Sequence, residues 1–340
     1  MLAVTIDWLE FTVLQAQLPL VLDTLGLDWD DFTQLPKGRF GYHTQYKWDN
    51  GNVFIMFTTT KDCKDITLKT KINTKSGVHV MLTGQGCRQY SAKQDLLFLI
   101  RRLYILDHVN FTRIDLAIDD YESKIIDYDR IHKAASAGNM TSRWSKWDEV
   151  VSRQTSDNSY LGRTMYFGSQ VSDLFCRIYD KSLERKVKSA EEDVPQKWTR
   201  LELVYRKDRA KKLVDHIING EKSLGYVLRG TLRQYLRFLT PITTDKNKSR
   251  WPSAQWWELL LANVERLQLT VKKDAKTIED MTAWVDKQIA PTIATIIKAY
   301  EGDMSWLRKI IVEGSTRLKQ KHKDAIYQLS LIHISEPTRH

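Results

Sequence analysis

Alternation of apolar and polar residues with a period of two dominates the chain up to about residue 205. Val4–Val13, Gly41–Trp48, Asn52–Thr60, Thr67–Ile72, Gly77–Thr83, Phe111–Asp120, Arg163–Gly168, Asp173–Lys181 and Thr199–Arg206 read as strands. Successive side chains of a strand point to opposite faces, so each such run offers one face to a core. Asp49-Asn50-Gly51 between two of these runs is a hairpin turn signal. Gln94–Leu106 and Asp127–Ala135 carry helical spacing instead. From Lys207 the period changes to that of helices: Arg209–Ile218, Leu224–Leu239, Ser253–Gln268, Ile278–Tyr300 with a kink at Pro291, and Ser305–Gln328. Pro241 to Pro252 is a polar, basic connection. The expected fold is α+β: a largely antiparallel central sheet with a polar catalytic face, then a helical C-terminal region. The expected division is 1–206 for the β-rich part, 207–328 for the helical part and 329–340 for a foreign tail. That last dozen, LSLIHISEPTRH, resembles the translated read of a sequencing adapter and continues neither period.

Three strands have one polar face each. Phe111–Asp120 sets Ile114, Leu116 and Ile118 against Arg113, Asp115, Ala117 and Asp119. Asp173–Lys181 sets Cys176, Ile178 and Asp180 against Arg177, Tyr179 and Lys181, and Thr199–Arg206 sets Leu201, Leu203 and Tyr205 against Arg200, Glu202, Val204 and Arg206. A half-solvated antiparallel sheet with cross-strand ion pairs accounts for this pattern. A catalytic face accounts for it too. Carboxylates hold divalent cations, arginine and lysine neutralise charge on a phosphate, and a tyrosine between two bases has its phenolate favoured. That set suits phosphoryl transfer on a polyanion.

Composition narrows the choice. The 340 residues carry 52 Lys and Arg against 42 Asp and Glu, a net charge of +10, with eleven Trp and fourteen Tyr. A basic, aromatic-rich chain suits nucleic acid before membrane, and a basic surface kept for solubility is the alternative. No run reaches the length of a membrane helix, and the N-terminus lacks the basic start of a signal peptide. Cys63, Cys87 and Cys176 are too few and too scattered for a disulfide framework or a zinc site, so the expected location is the cytoplasm. Gly84-Gln85-Gly86 lacks the further glycine and the Lys-Ser/Thr of nucleotide loops and reads as a tight turn.

Six stretches in order resemble the replication initiation factor family (the Rep_trans type). They are Ile6-Asp7-Trp8-Leu9-Glu10-Phe11-Thr12, Thr83 to Gln89, Thr112 to Asp120, Thr164 to Ser169, Arg177-Ile178-Tyr179-Asp180-Lys181 with Glu184, and Trp198 to Leu203. The family comprises rolling-circle plasmid initiators, filamentous-phage initiators and relaxases of integrative conjugative elements. The resemblance implies sequence-specific nicking and strand transfer at an origin through a 5′-phosphotyrosine, initiating rolling-circle replication or conjugative transfer. It points to Tyr179 as nucleophile, with Tyr166 as rival, and to Arg177, Lys181 and Arg200 on the scissile phosphate. Asp115, Asp119 and Glu202 are the candidates for holding Mg²⁺ or Mn²⁺, with Asp7 in reserve. The His-hydrophobic-His motif of many relaxases is absent, and His79 and His108 are isolated. Implied partners are the origin duplex and its nicked single strand, a replicative helicase and a single-strand DNA-binding protein; a homodimer is left open and no membrane is involved. Two other readings stay open: an origin-specific DNA-binding protein without nicking activity, and a metal-dependent hydrolytic endonuclease.

Residues 200–250 hold 13 Lys and Arg against 5 Asp and Glu, most of the net charge. Arg229, Arg233 and Arg237 recur every fourth residue on the helix expected over Leu224–Leu239, beside a leucine stripe at Leu228, Leu232, Leu236 and Leu239. Such a row can track phosphates. Trp251, Trp256 and Trp257 are candidates either for base stacking or for packing the next helix.

Overall fold

The computed structural model describes residues 2–60, 66–188, 195–219, 223–242, 244–265, 285–318 and, singly, 278, 281, 282, 322 and 326. The chain divides into two compact units, Met1–Val271 and Lys272–His340. The first is built on a ten-stranded sheet whose strands are β1 (Leu2–Val13), β2 (Phe32–Gln34), β3 (Thr44–Trp48), β4 (Val53–Phe57), β5 (Val78–Leu82), β6 (Val109–Asp120), β8 (Trp147–Arg153), β9 (Tyr160–Phe167), β10 (Leu174–Asp180) and β11 (Thr199–Arg206). A short strand, β7 (Met140–Ser142), belongs to a separate two-stranded ribbon. The sheet order is β2-β3-β4-β5-β1-β6-β11-β10-β9-β8, and neighbouring strands pair antiparallel. The architecture is therefore α+β with a largely antiparallel sheet, as the alternation predicts.

One face of this sheet is the core. Ile6, Leu9 and Phe11 of β1, Ile114, Leu116 and Ile118 of β6, and Leu201 and Leu203 of β11 are all buried in one apolar cluster. The covering helices α1 (Leu18–Leu25), α3 (Leu96–Ile105), α6 (Asp208–Ile218), α7 (Leu224–Tyr235) and α8 (Gln255–Glu265) contribute Leu22, Leu99, Leu213, Leu228 and Trp257 to the same cluster. Because α6 to α8 share the strands' core, the first compact unit runs past residue 206 to Val271. Apolar burial on one side leaves the opposite face of the central strands to the polar residues.

The structure adds short elements that the sequence does not announce, such as α1 and β2, and differs from the sequence expectations at these further places. Residues 66–72 form no strand; Thr67 and Thr70 close a turn, and only Ile72 makes a bridge, with Thr59. Gly84 opens the helix α2 (Gly84–Lys93) instead of forming a mere turn, with the Thr83 hydroxyl accepting from the Gly86 amide at 3.2 Å. Gly86 is required there, since a Cβ would lie 2.1 Å from the Asn52 carbonyl oxygen. The helix expected over Leu224–Leu239 stops at Tyr235, because Leu236–Phe238 turns extended as β12 and pairs with β7. The edge strand β8 falls in a stretch whose residues are mostly exposed, so it lacks the alternation that would have marked it.

Two further α-helices of the first unit are α4 (Tyr128–Ser136) and α5 (Lys181–Lys188), the latter leading directly out of β10. In the second unit, a π-helical turn at Val285–Ile289 runs into a helix at Ala290–Ala299 with Pro291 in its first turn, and another helix spans Ser305–Ser315. The tail expected over 329–340 lies outside the described residues. Among the described residues, no helix is long and apolar enough to cross a membrane.

Candidate active site

Register places the polar residues side by side. Tyr166 of β9, Arg177 of β10, Glu202 of β11 and Ala117 of β6 form one row across the sheet. The next row is Thr164, Tyr179, Arg200 and Asp119. A bulge in β1 adds Asp7: the pairing passes from Ile6 opposite Leu116 to Trp8 opposite Asp115, leaving Asp7 without a partner strand residue. Bulges re-aim a side chain in this way. Asp7 packs against the start of α2, where a Cβ on Gly84 would come within 2.9 Å of its carboxylate. A cleft of about 820 Å³ opens over these rows, with Asp7, Arg88, Tyr166, Arg177, Tyr179, Lys181 and Glu184 on its walls.

Tyr179 is only 7% exposed yet reaches the cleft. Its hydroxyl donates to Glu202 Oε2 at 3.2 Å, and Lys181 Nζ donates to the phenol oxygen at 3.5 Å. Lys181 is paired in turn with Glu184 at 2.5 Å. The other oxygen of Glu202 takes Arg177 Nη2 at 2.5 Å. Arg113 grips Asp115 with two hydrogen bonds of 2.8 and 2.6 Å. Arg200 grips Asp119 at 2.7 and 2.8 Å and meets Asp7 at 2.6 Å.

The electrostatics overturn one expectation. Two neighbouring bases predict a favoured phenolate at Tyr179, but its pKa is pushed well above the ordinary tyrosine value. Burial is the chief cause and the Glu202 carboxylate the next; Arg200 and Arg177 oppose them and lose. Burial also pushes Glu202 up, but the charge and hydrogen bond of Arg177 outweigh it, and Glu202 stays ionised. Burial and the Glu202 charge raise Asp115, against Arg113 and Arg177. Of the two touching carboxyls, Asp115 therefore keeps the proton and Glu202 the charge. Burial and Arg200 lower Lys181, against the pull of Glu184.

The structure gathers Tyr179, Tyr166, Arg177 and Lys181 at one cleft. Arg200 is 2% exposed and held by Asp119 and Asp7, so it braces the floor instead of facing a phosphate. Asp115, Asp119 and Glu202 are fully buried and do not meet as a triad. Asp119 is taken by Arg200 and by the Trp198 indole at 2.6 Å, while Asp115 and Glu202 are spent on Arg113, Arg177, Tyr179 and each other. The resemblance to replication initiation factors implies a divalent metal. These three carboxylates do not fit one, because guanidinium groups and the Tyr179 hydroxyl already occupy the oxygens that would face a cation. Among the described residues, no group of three His, Cys, Asp or Glu could hold a metal ion.

The arginine row expected for DNA is not a row. Arg233 pairs with Glu258 at 2.9 Å, and Arg237 lies on β12, donating to Ser253 Oγ at 2.9 Å and to the Trp251 carbonyl. Only Arg229 and Arg233 are on the helix. Trp257 is buried in the core and Trp256 packs on Phe238 at 5.1 Å, as the packing alternative has it. His79 is buried away from the cleft, its Nδ1 2.9 Å from the Thr12 hydroxyl. Arg88 and Glu184 also line the cleft, and both stand in the stretches that resemble the family, where nothing in the sequence marks them as site residues. Only their position on the cleft wall distinguishes them from other surface charges.

The profile described as replication initiation factor matches residues 109–311, and that of the rolling circle replication initiation protein N-terminal domain matches residues 3–97. A Bacillus subtilis (strain 168) protein described as a DNA relaxase, NicK, is 28% identical over 315 residues, covering 89% of this chain and 83% of its own. The structure of a rolling circle replication initiator protein from Geobacillus stearothermophilus superposes with a TM-score of 0.68 at 29% identity, over 80% of this chain and 99% of that one. The tyrosine-centred cleft thus sits in a chain that belongs, by sequence and by fold, to the replication initiation factor family.

Proposed function

We propose that the protein nicks one DNA strand at an origin and keeps the 5′ end on Tyr179, initiating rolling-circle replication or conjugative transfer. The observation that carries this reading is the Tyr179 hydroxyl, in the cleft and donating to an ionised Glu202 at 3.2 Å. Since the phenol is held protonated, deprotonation accompanies attack. The Tyr179 oxygen bonds to phosphorus, its proton passes to Glu202 Oε2, and the bond from phosphorus to the 3′ oxygen breaks. The 3′ oxygen leaves as a hydroxyl, taking its proton from water. Arg177 and Lys181, on the cleft wall, neutralise charge on the phosphoryl oxygens. Arg200, tied to Asp7 and Asp119, holds the floor against which Tyr179 is set. The phosphotyrosine conserves the energy of the phosphodiester, so a free 3′-hydroxyl can reverse the step and join DNA without ATP. Such a protein works in the cytoplasm beside a replicative helicase and a single-strand DNA-binding protein, because a nick alone does not unwind a duplex.

A 3′-labelled oligonucleotide spanning the nick site, resolved under denaturing conditions, tests this. The expected result is a covalent protein–DNA adduct that Tyr179→Phe abolishes and Tyr166→Phe retains. Loss in Tyr166→Phe alone assigns the nucleophile to Tyr166. Cleavage without adduct makes the protein a hydrolytic endonuclease, and binding without cleavage makes it a DNA-binding protein.

A further inference from the structure

The polar sheet face continues past the cleft to a second basic cluster. Arg206 of β11 stands opposite Arg113 of β6, which stands opposite Glu10 of β1. Each guanidinium lies on an aromatic ring: Arg206 on Phe175 at 5.3 Å, Arg113 on Trp8 at 4.4 Å. The rings fix the planes of the two cations before any ligand arrives. Arg113 spends Nε and Nη2 on Asp115. Arg206 gives Nη1 to the Gln170 carbonyl and, among the described residues, has no carboxylate within ion-pair distance. Glu10, the nearest carboxylate on β1, is occupied by the Trp8 indole at 2.6 Å.

We propose that Arg206 and Arg113 form a second phosphate site, which holds the DNA backbone at a distance from the scissile bond. The inference rests on the DNA-processing reading above. Burial and the charge of Arg113 lower the pKa of Arg206, with Arg177 adding to the repulsion, against Asp115 and Glu10. A bound phosphate relieves that crowding of like charge. The Arg206 row lies six strand residues from the Tyr179 row, or about 20 Å at strand rise. That span equals about six nucleotides of stacked strand, and fewer of a stretched one. A nicked strand held at both points keeps its phosphotyrosine end and its flank on one rigid sheet.

The test measures binding of fluorescent single-stranded dT20 to the full chain by anisotropy across a KCl series. Wild type, Arg206→Gln and Arg206→Lys are compared after thermal melts confirm that all are folded. Arg206→Gln is expected to weaken binding about 3- to 10-fold at low salt and to flatten the slope of log K against log[KCl] by about 0.7, one phosphate's worth for a single strand. Arg206→Lys is expected to restore the slope, since it keeps the charge. An unchanged slope in Arg206→Gln overturns the proposal, and so does a Lys variant that behaves like Gln, which makes the residue structural. A wild-type protein that fails to bind dT20 sinks the DNA reading itself.

Discussion

Replacing Glu202 with Gln removes a charge and an acceptor of protons while keeping the shape. Gln can still receive the Tyr179 hydroxyl at its oxygen, so positioning is retained and only the basicity is lost. Loss of a general base costs about 10²- to 10⁴-fold in rate, or about 3–5 kcal/mol of transition-state stabilisation. A second effect runs the other way. The Glu202 charge is one of the causes that raise the Tyr179 pKa, so its removal brings the phenol down while burial still holds it up. The variant is therefore expected to gain activity with rising pH as the phenolate becomes populated, approaching tenfold per unit below the phenol pKa. Wild-type activity is expected to be nearly flat from pH 7 to 9, because Glu202 is already ionised. Folding should survive. Arg177 loses its partner at 2.5 Å but has Asp115 at 3.9 Å, which can release its proton to replace the lost charge. The assay is single-turnover adduct formation at pH 7, 8 and 9, with thermal melts as the control. Adduct formation within threefold of wild type at pH 7 by a folded Glu202→Gln protein refutes the reasoning.

Two further outcomes concern the scaffold. Gly86→Ala drives a methyl group to 2.1 Å from the Asn52 carbonyl oxygen, backbone against backbone, and should cost about 2–4 kcal/mol in urea unfolding. Gly230→Ala meets nothing within 4 Å, lies inside α7 and should instead stabilise by about 0.5–1 kcal/mol. Burial lowers the pKa of His79 to about 4, from an ordinary value near 6.5, so the folded state prefers the neutral ring. Its contribution is full above pH 6.5 and is lost as the pH falls towards 4, about 3 kcal/mol in all. Unfolding midpoints measured from pH 7 to 4.5 should fall less steeply for His79→Gln than for wild type; equal slopes would contradict the assignment.

What could be read beforehand was whatever repeats locally. Ile114, Leu116 and Ile118 alternate with Arg113, Asp115 and Asp119, which is enough to assign each to a face and to expect an antiparallel sheet with a polar side. The motif around Tyr179 was likewise a local string. The end of α7 was not legible, because Leu236 to Phe238 continue the leucine stripe and only pairing with β7 makes them extended. Arg237 therefore lies on a strand and not on the helix face that its spacing from Arg233 suggests.

The sequence by itself determined which residues are apolar every second position, and hence which side of each strand joins the apolar core. It could not determine who stands opposite whom, since strand register joins residues as far apart as Trp8 and Asp115. The roles of the acids followed from that register. Asp115, Asp119 and Glu202 look like metal ligands as a list of carboxylates, but in the fold each has a guanidinium within 3 Å. Protonation states are still less local, because burial and facing charges set them and neither exists in an unfolded chain. Tyr179 between two basic residues suggests a phenolate; Tyr179 buried on the polar face of the sheet beside Glu202 is a phenol with a base in reach.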